Sequence, residues 1–397
     1  MLEGLLQLKK GADRRLRGGH LWVYSNEVDI AATPIATMTP GATVTVVDAR
    51  GKALGVATVN PASLICARLY SRQADQALDA GLLTRRLQRA LQLRERLYPE
   101  RCYRLAYGDG DALPGLVVDR FGDYLSVQLT TAGMDRRRDL VIDALLAVTG
   151  AKGIVLRNLG SFRHREHLPE AVEVIFGTVP DEVELVENDT RFVAPLRQGQ
   201  KTGWFYDHRE NRALLKRLVA GKTVLDVFSY IGGWGVQAAA AGASAVTCLD
   251  SSTEALAIVV ANAARNGVAD KVATVAGRAV EAMKQMQADG QRFDVVVLDP
   301  PAFIKRRKDQ SQGEKAYHQI NELGLNLLAP GGILASASCS LHLPPDRLLD
   351  IVRSAGGHRG RRLQIIARLG QGPDHPVHPS IPETAYLKAV FARDITS

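Results

Sequence analysis

The chain is 397 residues long, and what it has little of narrows its class before any motif is read. Its four cysteines, Cys66, Cys102, Cys248 and Cys339, form no C-x-x-C pair. That excludes a disulfide framework and a zinc knuckle of neighbouring thiols, and it implies a reducing compartment. No apolar leader opens the sequence, because Met1 to Arg17 turns basic at once; a cytoplasmic location is expected rather than secretion. Long hydrophobic runs are missing as well. The one uncharged stretch long enough to cross a bilayer, Val227 to Leu249, consists largely of Gly, Ala, Ser and Gln, so no membrane partner is expected. With 46% hydrophobic and 23% charged residues the chain can bury ordinary cores, and its length suggests two or three domains.

Positive charge is what the chain has in excess. The formal net charge is +8, and basic residues recur in clusters: Arg14, Arg15 and Arg17; Arg85, Arg86, Arg89, Arg94 and Arg96; Arg136 to Arg138; Arg163 and Arg165; Lys305 to Lys308; Arg359, Arg361 and Arg362. Any one cluster is compatible with a solvated helix face, but recurrence in distant segments points to a nucleic-acid partner.

The sequence is organised around Thr223 to Asp250. Thr223 to Val227 is apolar and β-branched, Gly232, Gly233 and Gly235 follow, an alanine-rich helix runs to Ala241, and Ala245 to Leu249 is apolar again. This pattern is a βαβ unit. Such a unit binds a nucleotide-like ligand at the carboxyl end of its first strand, where glycines admit the backbone and the helix N-terminus offers N–H groups. Asp226 and Asp250 close the two strands, and the second acid is placed to accept from ribose hydroxyls. Gly233, Gly235 and Ala238 also satisfy G-x-G-x-x-A, so a nicotinamide or flavin enzyme is a competing reading of this stretch.

Strand and helix continue to alternate. A helix over Ser252 to Asn266 leads to a strand ending at Gly277; Phe293 to Leu298 is a buried strand stopped by Asp299-Pro300-Pro301. A further strand ends at Cys339, a helix lies near Pro345 to Ala355, and the last strand is expected at Ala385 to Arg393. Ligands of an open parallel sheet sit beyond the carboxyl ends of its strands, which places Asp226, Asp250, Asp299 and Cys339 around one pocket. Most unpaired cysteines are small buried apolar residues, but a thiol at a strand tip level with Asp299 favours a nucleophile. Ahead of this unit, Gln200, Lys201, Thr202 and Gly203 form a polar loop able to close over a cofactor, and Asp207, Arg209, Asn211 and Arg212 open the next helix.

Residues 1–72 read as a small β-rich region with a hairpin around Gly51. Within it, KKGADRRLRGGHLWVYSNEV gathers Arg14, Arg15, Trp22 and Tyr24, a composition suited to gripping phosphates and stacking on a base, unless Trp22 is core. Residues 73–190 read as a mixed α+β middle domain with a helix over Ala74 to Tyr98; Arg157, Arg163 and His164 are expected at its surface or facing RNA. His375 and His378 flank a proline without a completing ligand, and no metal is expected there. Residues 191–397 carry the chemistry.

The glycine turn after Asp226, the acid at Asp250, D-P-P-A-F from Asp299 and S-C-S around Cys339 resemble a class I S-adenosylmethionine-dependent methyltransferase. The start, G-G-H-x-W-V-x-S-N-E, resembles a PUA domain. With QKTGWFYDHREN and DHPVHPSIPETAYLK, essentially the whole chain resembles the ribosomal RNA large subunit methyltransferase I family. The resemblance implies an α/β fold in which a PUA-like barrel and a mixed α+β domain precede a Rossmann-like domain with a mostly parallel, doubly wound sheet. It implies S-adenosyl-L-methionine as cofactor and methylation of cytidine C5 in large-subunit ribosomal RNA, either naked or in an assembling subunit.

Under that resemblance the Cys339 thiolate adds to cytosine C6, and Asp299 hydrogen-bonds the N3 and amino edge. The expected cofactor set is Gln200, Lys201, Thr202, Asp207, Asp226, Phe228, Tyr230, Gly232, Gly233, Asp250, Ser251, Asn266, Gly277 and Asp299. The expected RNA contacts are Arg14, Arg15, Trp22, Phe303, Lys305 and Arg306, with Phe303 and Trp204 as stacking candidates. Two departures stand out: Ala302 and Phe303 occupy the place of a second cysteine, and Arg278 stands where an acid often meets adenine. An RNA N-methyltransferase with a structural Cys339 and a non-catalytic RNA-binding or assembly factor remain alternatives. The oligomeric state, a homodimer included, is open.

Overall fold

Apolar alternation builds the first part of the chain. In the computed structural model, which describes residues 2–197 and 203–396, strands Thr43–Val47 and Ala53–Val59 pair antiparallel about Gly51, whose φ of 82° suits a residue without Cβ. Gly4–Gln7, Ile65–Ser71 and Trp22–Tyr24 complete a five-stranded sheet over a core that includes Leu6, Val23, Val46, Cys66 and Leu69. A second five-stranded sheet runs in the order Ala171–Gly177, Gly153–Asn158, Tyr124–Leu129, Leu116–Phe121, Cys102–Tyr107. Leucines of the helix Ala80–Leu97 bury into its core beside Val141 and Leu145 of Arg138–Thr149. The first of these helices begins later than its leucine spacing suggests because Asp79 caps it, accepting from the Leu82 N–H at 2.8 Å.

Part of the basic excess is spent inside this unit. Arg157 and Arg163, expected at the surface, are 2% and 3% exposed. Arg163 donates to Asp135 at 2.7 Å and to the Leu129 carbonyl, and the fully buried Arg94 grips both oxygens of Asp111. A buried arginine is retained only where its donors are met, so these three cations are structural and do not face RNA.

Two compact units result. The first comprises Met1–Val183, Ala194–Tyr206 and Pro373–Thr384; the second comprises Glu184–Val193, Asp207–Gly372 and Ala385–Ser397. The second unit is a seven-stranded sheet with helices between its strands. In chain order its elements are β1 Thr223–Val227, α1 Gly235–Ala240, β2 Ala245–Asp250, α2 Thr253–Arg265, β3 Val272–Ala276, α3 Ala279–Ala288, β4 Phe293–Leu298, α4 Gln310–Leu327, β5 Leu328–Ser338, α5 Pro345–His358, β6 Leu363–Leu369 and β7 Lys388–Asp394. The sheet order is β3-β2-β1-β4-β5-β7-β6. β1 to β5 are parallel to their neighbours, and β7 runs antiparallel to both β5 and β6. The central strands read as continuous Val and Leu runs because both faces are covered. Neither α4 nor β6 was expected from the sequence. Among the described residues no helix is long and apolar enough to cross a membrane.

Candidate active site at the carboxyl edge of the parallel sheet

The order reverses at β1, with β2 on one side and β4 on the other, so the crevice above their tips is the place where such sheets hold ligands. The β1–α1 turn is built tightly. Gly232 has φ 85°, and Phe228 and Tyr230 also hold left-handed conformations, φ 66° and 49°; non-glycine residues occupy that region at a cost and cluster where a site requires it. Gly235 opens α1 against β2, where any Cβ would drive into Cys248 Sγ and come within 3.1 Å of Asp226 Oδ2. Asp226 is fully buried, accepts from the Gly235 N–H at 2.8 Å, and is pushed up to about 7 by burial. Its Oδ1 has no partner among the described residues.

Asp250 sits at the next tip with both oxygens in use: Oδ2 accepts from Tyr230 N–H at 2.9 Å and Oδ1 from Ser252 N–H at 3.0 Å. These bonds fix the carboxylate and leave lone pairs toward a cavity of about 590 Å³, lined by Phe228, Asp250, Ser251, Gly277, Arg278, Ala279, Glu281 and Phe303 among others. This volume and lining suit a nucleoside-sized ligand. Phe228, Asp250, Ser251 and Gly277 of the expected cofactor set thus meet at one cavity, and Gly232 and Gly233 shape the turn beside it. Arg278 lines it too, with Glu281 3.8 Å away, so an acid absent at position 278 is present one helical turn on. The residues fit S-adenosylmethionine in kind, with a fixed acceptor at Asp250 and aromatic faces at Phe228 and Phe303 around one cavity.

Asn266 does not line this cavity. Its amide accepts from Arg191 N–H at 3.0 Å and donates to the Arg191 and Asn262 carbonyls, pinning the Asn188–Asp189 hairpin to α2. Gln200, Lys201 and Thr202 lie outside the described residues. Asp207 is buried and accepts from the Tyr386 hydroxyl.

Asp299 stands at the tip of β4, its side chain 21% exposed. Trp234 Nε1 donates to its Oδ2 at 3.0 Å, and His208 Nε2 lies 3.2 Å from Oδ1. Burial raises the carboxyl, but His208 and Trp234 outweigh it and hold Asp299 below the usual carboxylate range. Neither of these partners was found by sequence reasoning. Trp234 is itself held by Arg212, whose guanidinium lies 5.8 Å from the indole centroid and bonds the fully buried Glu187 at 2.6 Å. Arg209 and Gln237 meet the same carboxylate.

Cys339 follows β5 on the neighbouring tip, since Leu298 pairs with Ser336. It is half-exposed, while Ser338 and Ser340 on either side are buried completely. The serines explain the S-C-S pattern: Ser338 Oγ donates to the Tyr317 hydroxyl at 2.8 Å, that hydroxyl lies 2.8 Å from Ser340 Oγ, and Ile304 N–H donates to Ser340 Oγ at 3.1 Å. The clamp fixes the strand tip to α4 and to the loop after Asp299-Pro300-Pro301. Phe303 in that loop packs on Tyr317 and Phe228, with centroids at 4.8 and 6.4 Å. Lys305 and Arg306 beyond it are exposed.

In the first unit, Arg14 is exposed, but Arg15 is tied to Glu27 at 2.8 Å and to the Trp22 carbonyl. Trp22 is half-buried, with its indole N–H on Asp109 at 3.1 Å and Arg68 over its ring. It is neither plain core nor an unengaged stacking platform. Trp204, the other stacking candidate, is 2% exposed and too buried to meet a base.

A doubly wound sheet in this order, with a glycine turn, an acid on the second tip and a cavity between, defines a class I methyltransferase domain. The family profile described as S-adenosylmethionine-dependent methyltransferase matches residues 136–393, and a PUA-like domain matches residues 6–72. Ribosomal RNA large subunit methyltransferase I of Pseudoalteromonas atlantica is 34% identical over 97% of this chain and 98% of its own length; that of Cronobacter sakazakii is 36% identical over 96% and 97%. In fold, the chain is similar to a Streptococcus mutans protein described as a SAM-dependent methyltransferase, with TM-score 0.83 at 21% identity, covering 98% of this chain and 100% of that one. It is equally similar to a methyltransferase solved in complex with SAH, with TM-score 0.84 at 21% identity over 98% and 99%. The chain belongs to the ribosomal RNA large subunit methyltransferase I family, and its cofactor is S-adenosylmethionine.

Proposed function

We propose that this chain methylates C5 of a cytidine in large-subunit ribosomal RNA, with the Cys339 thiolate adding to C6. The observation that carries the reading is the pair of neighbouring strand tips: a partly exposed Cys339 between two buried serines that Tyr317 ties down, and an Asp299 whose carboxyl is held below the usual range. Cytosine C5 is a poor nucleophile until a thiolate adds at C6 and makes C5 enamine-like. Asp299, held below the usual range, acts as an acceptor and suits the exocyclic amino group; donating to N3 would need a proton that it does not carry. S-adenosylmethionine, when bound, supplies an electrophilic methyl group. Loss of the C5 proton then lets the Cys339 sulfur leave.

The target base has to leave its stack to reach these tips. Phe303, at the rim of the cofactor cavity, would contact it or the cofactor, and Lys305 and Arg306 would meet flanking phosphates. Arg14 and the Trp22 face would supply a second RNA contact. We divide the chain by role into residues 1–72 for RNA binding, 73–190 as the middle domain and 191–397 for catalysis, acting in the cytoplasm.

The test is incubation with methyl-labelled cofactor and unmodified ribosomal RNA, followed by nucleoside digestion. Label in 5-methylcytidine, lost in Cys339→Ala with the fold intact, is the expected result. Label in another nucleoside, or turnover without the thiol, would overturn the adduct mechanism and favour an N-methyltransferase; cofactor binding without any labelled RNA would favour an assembly factor.

A further inference from the structure

β7 places a lysine where a hydrophobic strand residue would be ordinary. Lys388 pairs with Ser338 across the antiparallel β5–β7 ladder and is 4% exposed. Its Nζ donates to the Ser340 carbonyl at 2.6 Å and to the Leu343 carbonyl at 2.8 Å. An ammonium carries three donors and a full charge, and burying it is costly unless something at the site uses the charge. Two carbonyls satisfy two donors, yet a neutral side chain would serve them as well. The carbonyl that Lys388 bonds at Ser340 belongs to the residue directly after Cys339.

We propose that the Lys388 ammonium is a positioning residue for the nucleophile: from beneath the Ser338–Leu343 turn it stabilises the Cys339 thiolate and holds the carbonyls that aim it. This rests on the reading of Cys339 as the nucleophile. An ordinary thiol is only a few per cent ionised at neutral pH, so a nearby buried cation raises the reactive fraction. The groups around the tip are Lys388 from β7, Tyr317 from α4, whose phenol is raised by burial and stays neutral, and the ionised Asp299 on β4. Among these described groups Lys388 is the cation bonded to the turn that carries Cys339, while His208 lies against Asp299. Burial pushes Lys388 down to about 8, and the Cys339 charge pulls it back up. The cation is most useful when the thiolate is present.

The experiment reads the thiol directly, without RNA or cofactor. The rate of iodoacetamide alkylation of Cys339, quantified on its peptide by mass spectrometry, is followed against pH in the full chain and in three variants. Lys388→Gln keeps an N–H donor for the turn without charge, Lys388→Arg keeps the charge, and Lys388→Met removes both. The thiolate fraction at neutral pH should fall about tenfold in Lys388→Gln and Lys388→Met, a shift of about one pH unit in the profile, and Lys388→Arg should restore it. Superimposable profiles for wild type and Lys388→Gln would overturn the proposal, as would an equal shift in Lys388→Arg and Lys388→Gln. Failure of the nucleophile reading is separate: it would show as methylation surviving in Cys339→Ala, whatever the alkylation profiles do. If Lys388→Met fails to fold, the Gln and Arg pair still decides.

Discussion

Replacing Gly235 by alanine sets two effects against each other, and the structure says which prevails. Gly235 opens α1 with a backbone that alanine can adopt, since it is not among the positive-φ residues. Helix propensity alone would favour the change by up to about 1 kcal/mol. The new Cβ, however, would lie on the order of 1 Å inside the ~3.5–4 Å at which such atoms pack, against Cys248 Sγ, and 3.1 Å from Asp226 Oδ2. Both neighbours are fully buried in the sheet and cannot swing away. Overpacking of this kind costs about 1–3 kcal/mol, so with the helix gain set against it the net effect is destabilising by up to about 2 kcal/mol. In the Cys248→Ala background the sulfur is gone and the same substitution should be close to neutral. The assay is a double-mutant cycle by urea unfolding, paired with calorimetric cofactor affinity, because the same turn shapes the cavity. A coupling energy below about 0.5 kcal/mol, the limit for independent sites, would refute the argument that Cys248 is what Gly235 accommodates.

Arg212→Met should destabilise the second unit by about 1–3 kcal/mol, because it takes the nearest cation from the buried Glu187 carboxylate and leaves it to Arg209 and Gln237; a change in denaturant midpoint worth under about 0.5 kcal/mol would contradict this. Asp226 titrates higher in the fold, at about 7, than in an unfolded chain, at ~3.9. Its contribution is therefore full below about pH 4 and lost as pH rises through about 7. Asp226→Asn, which keeps an acceptor for Gly235 N–H, should show a smaller fall in Tm from about pH 5 to about pH 8 than wild type, and equal slopes would refute the assignment. Lys305→Ala with Arg306→Ala should weaken RNA binding and reduce the slope of log affinity against log salt by about 2; an unchanged slope would remove that loop from the RNA interface.

The strands that form the parallel sheet were legible because burial on both faces makes them short runs of Val and Leu ended by Asp, Gly or Pro. Phe293–Leu298 begins and stops where the sequence reading put it. α4 was not legible because it carries Gly313 and Gly324 and starts with QSQGEK. These glycines weaken the helix locally, yet a Cβ at 313 would collide with Ile304 and lie 3.0 Å from the Phe303 carbonyl; tertiary approach of the active-site loop overrides propensity. β6 escaped notice as an edge strand with no buried residue, so no apolar alternation marks it. Asp250, Asp299 and Cys339 could be placed at neighbouring strand ends because strand tips are readable. His208 and Lys388, 91 and 49 positions away from Asp299 and Cys339, could not be found, because only the folded register brings them there. Arg157 and Arg163 misled for the opposite reason: a basic residue in a list carries no sign of the acid or carbonyl that has claimed it.

The antiparallel β7 has a consequence for how the molecule comes into being. It inserts between two strands that precede it in the chain, β5 and β6. During vectorial synthesis β5 emerges first and waits as an edge with unpaired backbone groups, the kind of surface that invites pairing with another chain. The strand that closes this edge is the one that carries Lys388. On the proposed reading of Cys339, maturation of the thiol is tied to the last strand pairing, and a chain arrested before β7 would hold Cys339 without Lys388 and the sheet without its seal.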